Sequence, residues 1–483
     1  MPSKRRRIHS ATPAQVHNVS SFLEAAALAN YEPHFHGLDA RDLLSLRDHD
    51  LIRLGLNFAE RVRYHSTLNT LAATDQPSTI KCLVITHVHC LLHKGSAPSS
   101  GESASRVTSL LEHFGSIFAN NPQVAFDSNP PLAQIHALWR VHPPSYVSRI
   151  LKMSPSPETN DLVHFSPGGA GQNTFISSGS TDAIFRAAGA VVSAVDAVFK
   201  GYAHASKQIQ SVETAFCIVR PPGHHCGWTG VASLGTGDDM SQGFCYVNNV
   251  MVGAAHALNE YAARAAIIDF DVHHGNGTED IIRHLFASYP SNQHLDSITS
   301  FPYLFISTHQ YGIDSALDPP EPFYPGTGSA LDATDPLHPY IINIPLAPNT
   351  TSPQFRIKAS KALVRLKAHN PDVIFFSAGF DSHYKDSAGD LNLTDDDYRW
   401  LSAECRKACG KVVSVLEGGY DEGDLAEGLV GGLLSGAENH ELDGSFEVHS
   451  KLHDLSTPLG SRHEYAIAFF FPIEEGDSPT SLN

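Results

Sequence analysis

The chain has 483 residues, 42% of them hydrophobic and 17% charged, a composition typical of a globular protein long enough for more than one domain. Its formal net charge of −18 argues against a broad basic face, so we expect no direct DNA binding. No apolar run is long enough to span a membrane, no signal-peptide core begins the chain, and its seven cysteines lack paired spacing. We therefore expect a soluble, intracellular protein with reduced thiols and no membrane partner.

The two ends of the chain differ in charge. Residues 1–14 form a basic N-terminus that we expect to be disordered, and its run from Lys4 to Arg7 is a candidate nuclear-import signal. This run favours a nuclear protein, with a cytoplasmic pool as the alternative. Residues 474–483 form an acidic, polar tail that we also expect to be disordered.

Residues 15–73 form a separate predicted unit. Apolar residues recur there at helical intervals between short Asp-containing breaks, which predicts a small bundle of about five short helices. The sequence within residues 28–61 resembles a sterile alpha motif (SAM) domain, and this resemblance implies self-association or binding of a partner module. The alternative is an ordinary helical cap on the following domain.

Residues 80–473 form the main predicted domain, with its boundary near residues 73–78. Apolar strands alternate there with helices, which predicts an α/β fold with a parallel sheet covered by helices. An Ala-rich helix is predicted from Ser180 to about Ala203. Residues 95–106, rich in Ser, Gly and Ala, are predicted to be a flexible excursion. The predicted strands end at Val219, Asp271, Ser307, Ile344, Ser377 and Leu416.

A candidate metal site follows the apolar residues 265–268. Asp271 and His273 lie two positions apart, and side chains at that spacing on a strand share a face, as does Asp269. A D-x-H triplet alone more often marks a capped strand end with a paired Asp. A second apolar strand that ends near Asp381 offers a third ligand. Two carboxylates and one imidazole suit zinc with an open fourth position, although iron(II) or cobalt would fit the same ligands.

Two further apolar strands end in polar motifs. His224 and His225 follow one of them, and histidine is the usual general acid or base near neutral pH. Tyr420 follows the other after two glycines and could donate a hydrogen bond to an oxyanion. Each motif alone is weak evidence, since both residues also occur in ordinary loops. Because parallel sheets bind ligands at the carboxyl ends of their strands, we expect all these side chains in one site.

The joint pattern resembles the zinc-dependent histone deacetylases of class II type. Five segments carry the resemblance: RPPGHH at 220–225, GFC at 243–245, DFDVHHGNGT at 269–278, SAGFD at 377–381 and EGGY at 417–420. The resemblance implies an arginase/deacetylase-like parallel sheet covered by helices. Asn276 stands where class I members usually have an acid, so class II is the nearer match.

The resemblance also implies the metals of the site. Asp271, His273 and Asp381 would bind Zn²⁺, and a water and the substrate carbonyl would complete the coordination. Backbone oxygens near Asp269, Asp271 and His273 would bind a structural K⁺.

The resemblance assigns further roles around the metal. His225 would be the general base and later the acid, His224 with Asp269 would assist electrostatically, and Tyr420 would bind the oxyanion. Asn276 would contact these residues without binding the metal or the substrate itself.

A substrate channel is implied as well. Gly243 and Phe244 would line one wall. On the other wall the family has a phenylalanine before a proline, whereas this chain has Tyr324, which would add a hydroxyl to an apolar channel. The alternative is a rebuilt loop in which Tyr324 never faces substrate.

Three functions follow as hypotheses. The first is zinc-dependent removal of acetyl groups from N6-acetyl-lysine in histones or other proteins, in chromatin regulation and transcriptional repression; the net negative charge suits lysine-rich partners. The second is hydrolysis of acetylpolyamines by the same chemistry. The third is a scaffold that recruits partners through the SAM-like unit, with catalysis secondary.

Overall fold

The computed structural model describes the chain in segments: 19–36, 38, 40–43, 46, 48–57, 60–61, 63–64, 67, 79–94, 101–118, 121–156, 161–165, 174–203, 209–232, 242–289, 301–314, 317 and 319–420. The predicted basic N-terminus, the predicted domain boundary at 73–78 and the predicted acidic tail lie outside these residues.

The N-terminal part of the described chain is helical. It contains a 3-10 helix (Ala29–Phe35) and three α-helices: α1 (Val19–Ala25), α2 (Ala40–Leu43) and α3 (Asp48–Arg53). Their apolar side chains share a small core with Tyr64, whose hydroxyl donates a hydrogen bond to the Leu43 carbonyl at 2.6 Å. Likeness to a SAM domain stays a prediction.

One eight-stranded sheet organises the rest. Its strands are β1 (Thr79–Ile85), β2 (Val124–Asp127), β5 (Ser211–Cys217), β6 (Ala265–Asp269), β7 (Tyr303–Gln310), β10 (Ile341–Leu346), β11 (Val373–Ala378) and β12 (Val412–Leu416). The order across the sheet is β10-β7-β6-β11-β12-β5-β1-β2, and every pair is parallel. The other strands form two antiparallel ladders: β3 (Val163–His164) with β4 (Phe175–Ile176), and β8 (Ile313–Asp314) with β9 (Glu321–Pro322).

Helices cover both faces of the sheet. They are α4 (Ala104–Phe118), α5 (Ile135–Leu138), α6 (Pro144–Met153), α7 (Ser180–Lys200), α8 (Asn249–Tyr261), α9 (Asn276–Ser288), α10 (Ser352–His369) and α11 (Asp395–Arg406); a further 3-10 turn spans Val88–Leu91. One apolar core lies under α5 to α9, and a second lies under α4, α10 and α11. No helix in the described segments is both long and apolar enough to cross a membrane.

The predicted α/β class and parallel sheet are confirmed. Central strands are apolar on both faces because helices bury both, which is why β6, β11 and β12 are buried throughout. The six predicted strand ends fall within three residues of the observed ends. In the sheet β6, β11, β12 and β5 are consecutive neighbours, so the four strands that precede the predicted motifs open on one stretch of its carboxyl edge.

Candidate metal and catalytic site

The predicted metal ligands come together beyond β6 and β11. Asp271, His273 and Asp381 each offer one ligand atom, and these atoms all lie within 4.8 Å of one another. Both carboxylates are fully buried, and His273 lies at the edge of the cluster. The His273 Nδ1 atom lies 3.1 Å from Asp271 Oδ1 and 3.4 Å from Asp381 Oδ2.

Loop hydrogen bonds, rather than strand pleating, orient these side chains. Strand β6 ends at Asp269, so Asp271 and His273 lie beyond the strand, and the expectation that they share one of its faces is wrong. Instead, the Asp271 carboxylate accepts hydrogen bonds from the backbone N–H groups of His273 at 2.9 Å and Gly418 at 2.8 Å. The Val272 N–H donates to Asp381 Oδ1 at 2.8 Å. The chain turns after the strand because short Asp side chains bind nearby backbone donors.

The cluster fits a bound cation. Asp381 Oδ2 is buried and accepts no hydrogen bond from the described residues. Burial, and then the charge of Asp271, raise the pKa of the Asp381 carboxyl to about 7, and a bound cation would favour the ionised form instead. A Cβ on Gly379 would lie 2.0 Å from Asp271 Oδ2, and one on Gly418 2.1 Å from Asp381 Oδ2, so only glycine leaves both carboxylates their place. One imidazole and two carboxylates are a ligand set for zinc.

The adjacent histidines have opposite environments. His224 Nδ1 lies 3.0 Å from Asp269 Oδ2, whereas His225 Nδ1 lies 2.8 Å from Asn276 Oδ1. Burial would lower the pKa of His224, but the charges of Asp271 and Asp269 outweigh it and raise the pKa well above its usual range. Burial and the neighbouring charge of His224 lower the pKa of His225 well below its usual range. The surroundings therefore shift the pKa values of the two rings in opposite directions.

Tyr420 packs against a predicted channel residue. Its N–H donates to Asp386 Oδ2 at 2.7 Å, and its ring packs 6.2 Å from that of Phe244, centroid to centroid. Burial, and then the negative charge of Asp381, raise the pKa of the Tyr420 hydroxyl well above its usual range, so it stays protonated and able to donate.

The predicted channel residues surround the same cluster. The Tyr324 ring lies 5.0 Å from that of His225 and 5.8 Å from that of His273. A Cβ on Gly243 would lie 2.4 Å from the His225 ring and 3.0 Å from the Tyr324 hydroxyl. Phe244 has φ of +67°, a conformation that residues other than glycine rarely adopt. The structure thus places Tyr324 at the site, and its contact with substrate stays a prediction.

The family model of the histone deacetylase domain matches residues 99–431 of this chain. The chain belongs to the histone deacetylase family. Its eight-stranded sheet also matches the crystal structure of an acetylpolyamine aminohydrolase from Burkholderia pseudomallei, with a TM-score of 0.52, 22% identity, and coverage of 71% of this chain and 94% of that one. At this identity the likeness supports the arginase/deacetylase fold.

Two relatives show how far the family likeness extends. The chain is 30% identical over 382 residues to a probable deacetylase of Archaeoglobus fulgidus, covering 77% of this chain and 90% of that protein. It is 34% identical over 378 residues to type-2 histone deacetylase 2 of Dictyostelium discoideum, covering 72% of this chain. That match spans 20% of the Dictyostelium protein, so most of the larger protein has no counterpart in the aligned part of this chain.

Buried charges around the candidate site were not predicted from the sequence. Glu102 and Arg106 lie within the segment predicted to be a flexible excursion, yet both are buried, and α4 begins at Ala104. Glu417 had no predicted role of its own, but its carboxylate accepts hydrogen bonds from the N–H groups of Gly223 and His224 at 2.7 and 3.1 Å. The available signal was the spacing of Glu102 and Arg106, an acid and a base four residues apart where a helix begins.

Proposed function

We propose that this protein hydrolyses the amide bond of N6-acetyl-lysine in histones or other proteins and releases acetate, with zinc as its metal. The observation that carries the proposal is the meeting, at one edge of the sheet, of a three-ligand cluster, two adjacent histidines with different partners, and a tyrosine. These are the parts that amide hydrolysis requires: a Lewis acid, a base and an oxyanion donor.

Asp271, His273 and Asp381 would hold the zinc. When bound, zinc supplies Lewis-acid polarisation of the amide carbonyl and lowers the pKa of water. The K⁺ implied by the family likeness stays a prediction at the backbone of Asp269, Asp271 and His273.

The two histidines divide the proton transfer. His225, held neutral and oriented by Asn276, accepts the proton of the attacking water and later returns it to the leaving amine. His224, held charged by Asp269 and Asp271, stabilises negative charge that develops at the carbonyl. Opposite environments of two adjacent titratable groups are the arrangement that separates such roles.

Tyr420 and the channel walls complete the assignment. The Tyr420 hydroxyl donates a hydrogen bond to the oxyanion of the tetrahedral intermediate. Phe244 and Tyr324 form the walls against which the aliphatic stem of the substrate packs. Gly243 lies against the His225 ring and the Tyr324 hydroxyl.

The substrate has two candidates. A formal net charge of −18 attracts a lysine-rich histone tail, and it attracts an acetylated polyamine for the same reason. The acetyl-lysine protein is the first choice because the basic run at Lys4 to Arg7 favours the nucleus, where a role in chromatin regulation and transcriptional repression would follow. The proposal includes self-association or binding of a partner through the SAM-like unit. The alternative is a protein that acts mainly as a scaffold, in which catalysis is secondary.

The test measures kcat/KM for an acetylated histone-tail peptide and for an acetylpolyamine on the same purified protein, with His225→Ala as the inactive control. The proposal predicts turnover of the peptide at a higher kcat/KM, lost in the variant. A higher kcat/KM for the polyamine would assign the protein to the second substrate. Failure to hydrolyse either amide would contradict the proposed enzymatic function.

A further inference from the structure

A buried ion cluster of Glu102, Arg106 and Arg220 joins residues 220–225 (the histidine loop) to residues 417–420 (the tyrosine loop). Arg220 donates two hydrogen bonds to Glu102, from Nε to Oε1 at 2.5 Å and from Nη2 to Oε2 at 2.7 Å. Arg106 Nη1 lies 3.7 Å from Glu102 Oε1. All three side chains are at most 3% exposed. Buried charges are costly unless they are well paired, so this cluster constrains its surroundings strongly.

One arm of the cluster reaches the histidine loop. Arg220 is four residues before His224, and its Nη1 also donates to the carbonyls of Cys90 and His93 at 3.1 and 3.0 Å. The loop between them is tightly packed: a Cβ on Gly223 would lie 2.6 Å from backbone atoms of the segment that begins α8. A shift of Arg220 would therefore move the backbone that carries both histidines.

The other arm reaches the tyrosine loop. Arg106 donates from Nε to the Gly419 carbonyl and from Nη2 to the Glu417 carbonyl, both at 2.5 Å. Its guanidinium lies 4.9 Å from the centroid of the Tyr420 ring. Gly101, with φ of +74°, packs against the same residue, because a Cβ there would lie 2.9 Å from the Tyr420 Cβ.

We propose that Glu102 is a positioning residue that fixes the histidine loop and the tyrosine loop relative to each other. The inference rests on the proposed function, in which His225 and Tyr420 act on the same amide. Glu102 acts through Arg220 on one loop and through Arg106 on the other. Errors of about 1 Å in such placement cost about 10²-fold in rate.

The test compares Glu102→Gln with Asp397→Asn. Asp397 is also fully buried and paired with an arginine, Arg356, at 2.7 Å, but it lies at the start of α11 outside the site. Both changes remove a buried carboxylate charge, so both are expected to lower the melting temperature. On folded protein, Glu102→Gln should lower kcat by about tenfold or more with zinc content and KM little changed, and Asp397→Asn should leave kcat unchanged. Equal kcat in the two variants would overturn the proposal.

A second variant and a second readout cover the case in which Glu102→Gln does not fold. Glu102→Asp keeps the charge but shortens the side chain by one methylene. Its crystal structure should show the His225 and Tyr420 loops displaced relative to each other, and unmoved loops would contradict the proposal. This comparison needs no substrate. A wild-type protein that hydrolyses neither amide would thus count against the proposed function alone.

Discussion

The candidate metal ligands and the channel walls lie in one site, but different parts of the backbone hold them. Asp271 and Asp381 lie within three residues of the ends of neighbouring strands, and backbone N–H groups bind their carboxylates. Phe244 and Tyr324 lie on long connections and contact the site through ring packing. The metal ligands are therefore held by turns that directly follow the strands, while longer connections shape access to the site.

This difference predicts that changes at the ligands remove activity and that changes at the walls alter substrate binding. The largest effect is expected at the cluster. Asp271→Ala removes a ligand and the acceptor of the Gly418 N–H, so both zinc and turnover should be lost. Metal analysis of the purified variant checks this. Asp396→Ala, which changes an exposed acid, is the control and should keep both; stoichiometric zinc in Asp271→Ala would remove Asp271 from the ligand set.

The next effect is expected at Tyr420. Tyr420→Phe removes only the hydroxyl, so folding and zinc content should be kept while kcat falls by roughly 10²-fold, the cost of deleting one oxyanion donor. Steady-state kinetics with metal analysis measure this, and Tyr384→Phe, at an exposed tyrosine, is the matched control. Unchanged turnover in Tyr420→Phe would exclude the residue from the mechanism.

A wall residue should behave differently. Phe244→Ala removes one apolar wall, so KM should rise by about tenfold because contact with the aliphatic stem is worth about 1.5 kcal/mol. The effect on kcat should be smaller than that of Tyr420→Phe. A loss confined to kcat would show that Phe244 acts through Tyr420, whose ring lies 6.2 Å away, rather than as a wall.

The smallest effect is expected at Tyr324. Tyr324→Phe keeps the ring that packs on His225 and His273 and removes a hydroxyl that lies against Gly243. KM for an acetyl-lysine peptide should change by about threefold, which is at the weak end of the range for a neutral hydrogen bond. A much larger change in KM would make the hydroxyl a principal determinant of substrate binding.

The sequence predicted best what the sheet controls. Asp271, His273 and Asp381 follow apolar strands, and neighbouring parallel strands bring such residues to one edge. Their exact orientation was not predictable from strand pleating, because β6 ends before Asp271 and loop hydrogen bonds replace the pleat.

The burial of charged side chains was the feature least predictable from the sequence. Residues 95–106 were expected to be flexible because they are rich in Ser, Gly and Ala, but the charged side chains of Glu102 and Arg106 have partners 118 and 311 residues away along the chain. No local pattern contains partners so distant. Tyr324 was predictable in part. The sequence indicated a channel residue at this position, but only the folded loop shows that its ring packs against His225.

We propose that the cluster of Asp271, His273 and Asp381 binds the zinc on which amide hydrolysis depends. This is tested by measuring zinc content and acetyl-peptide hydrolysis on one sample of purified protein, before chelation, after it, and after zinc is returned. We expect one zinc per chain, loss of hydrolysis with the metal, and its recovery when zinc is restored. Full hydrolysis by metal-free protein would contradict this proposal.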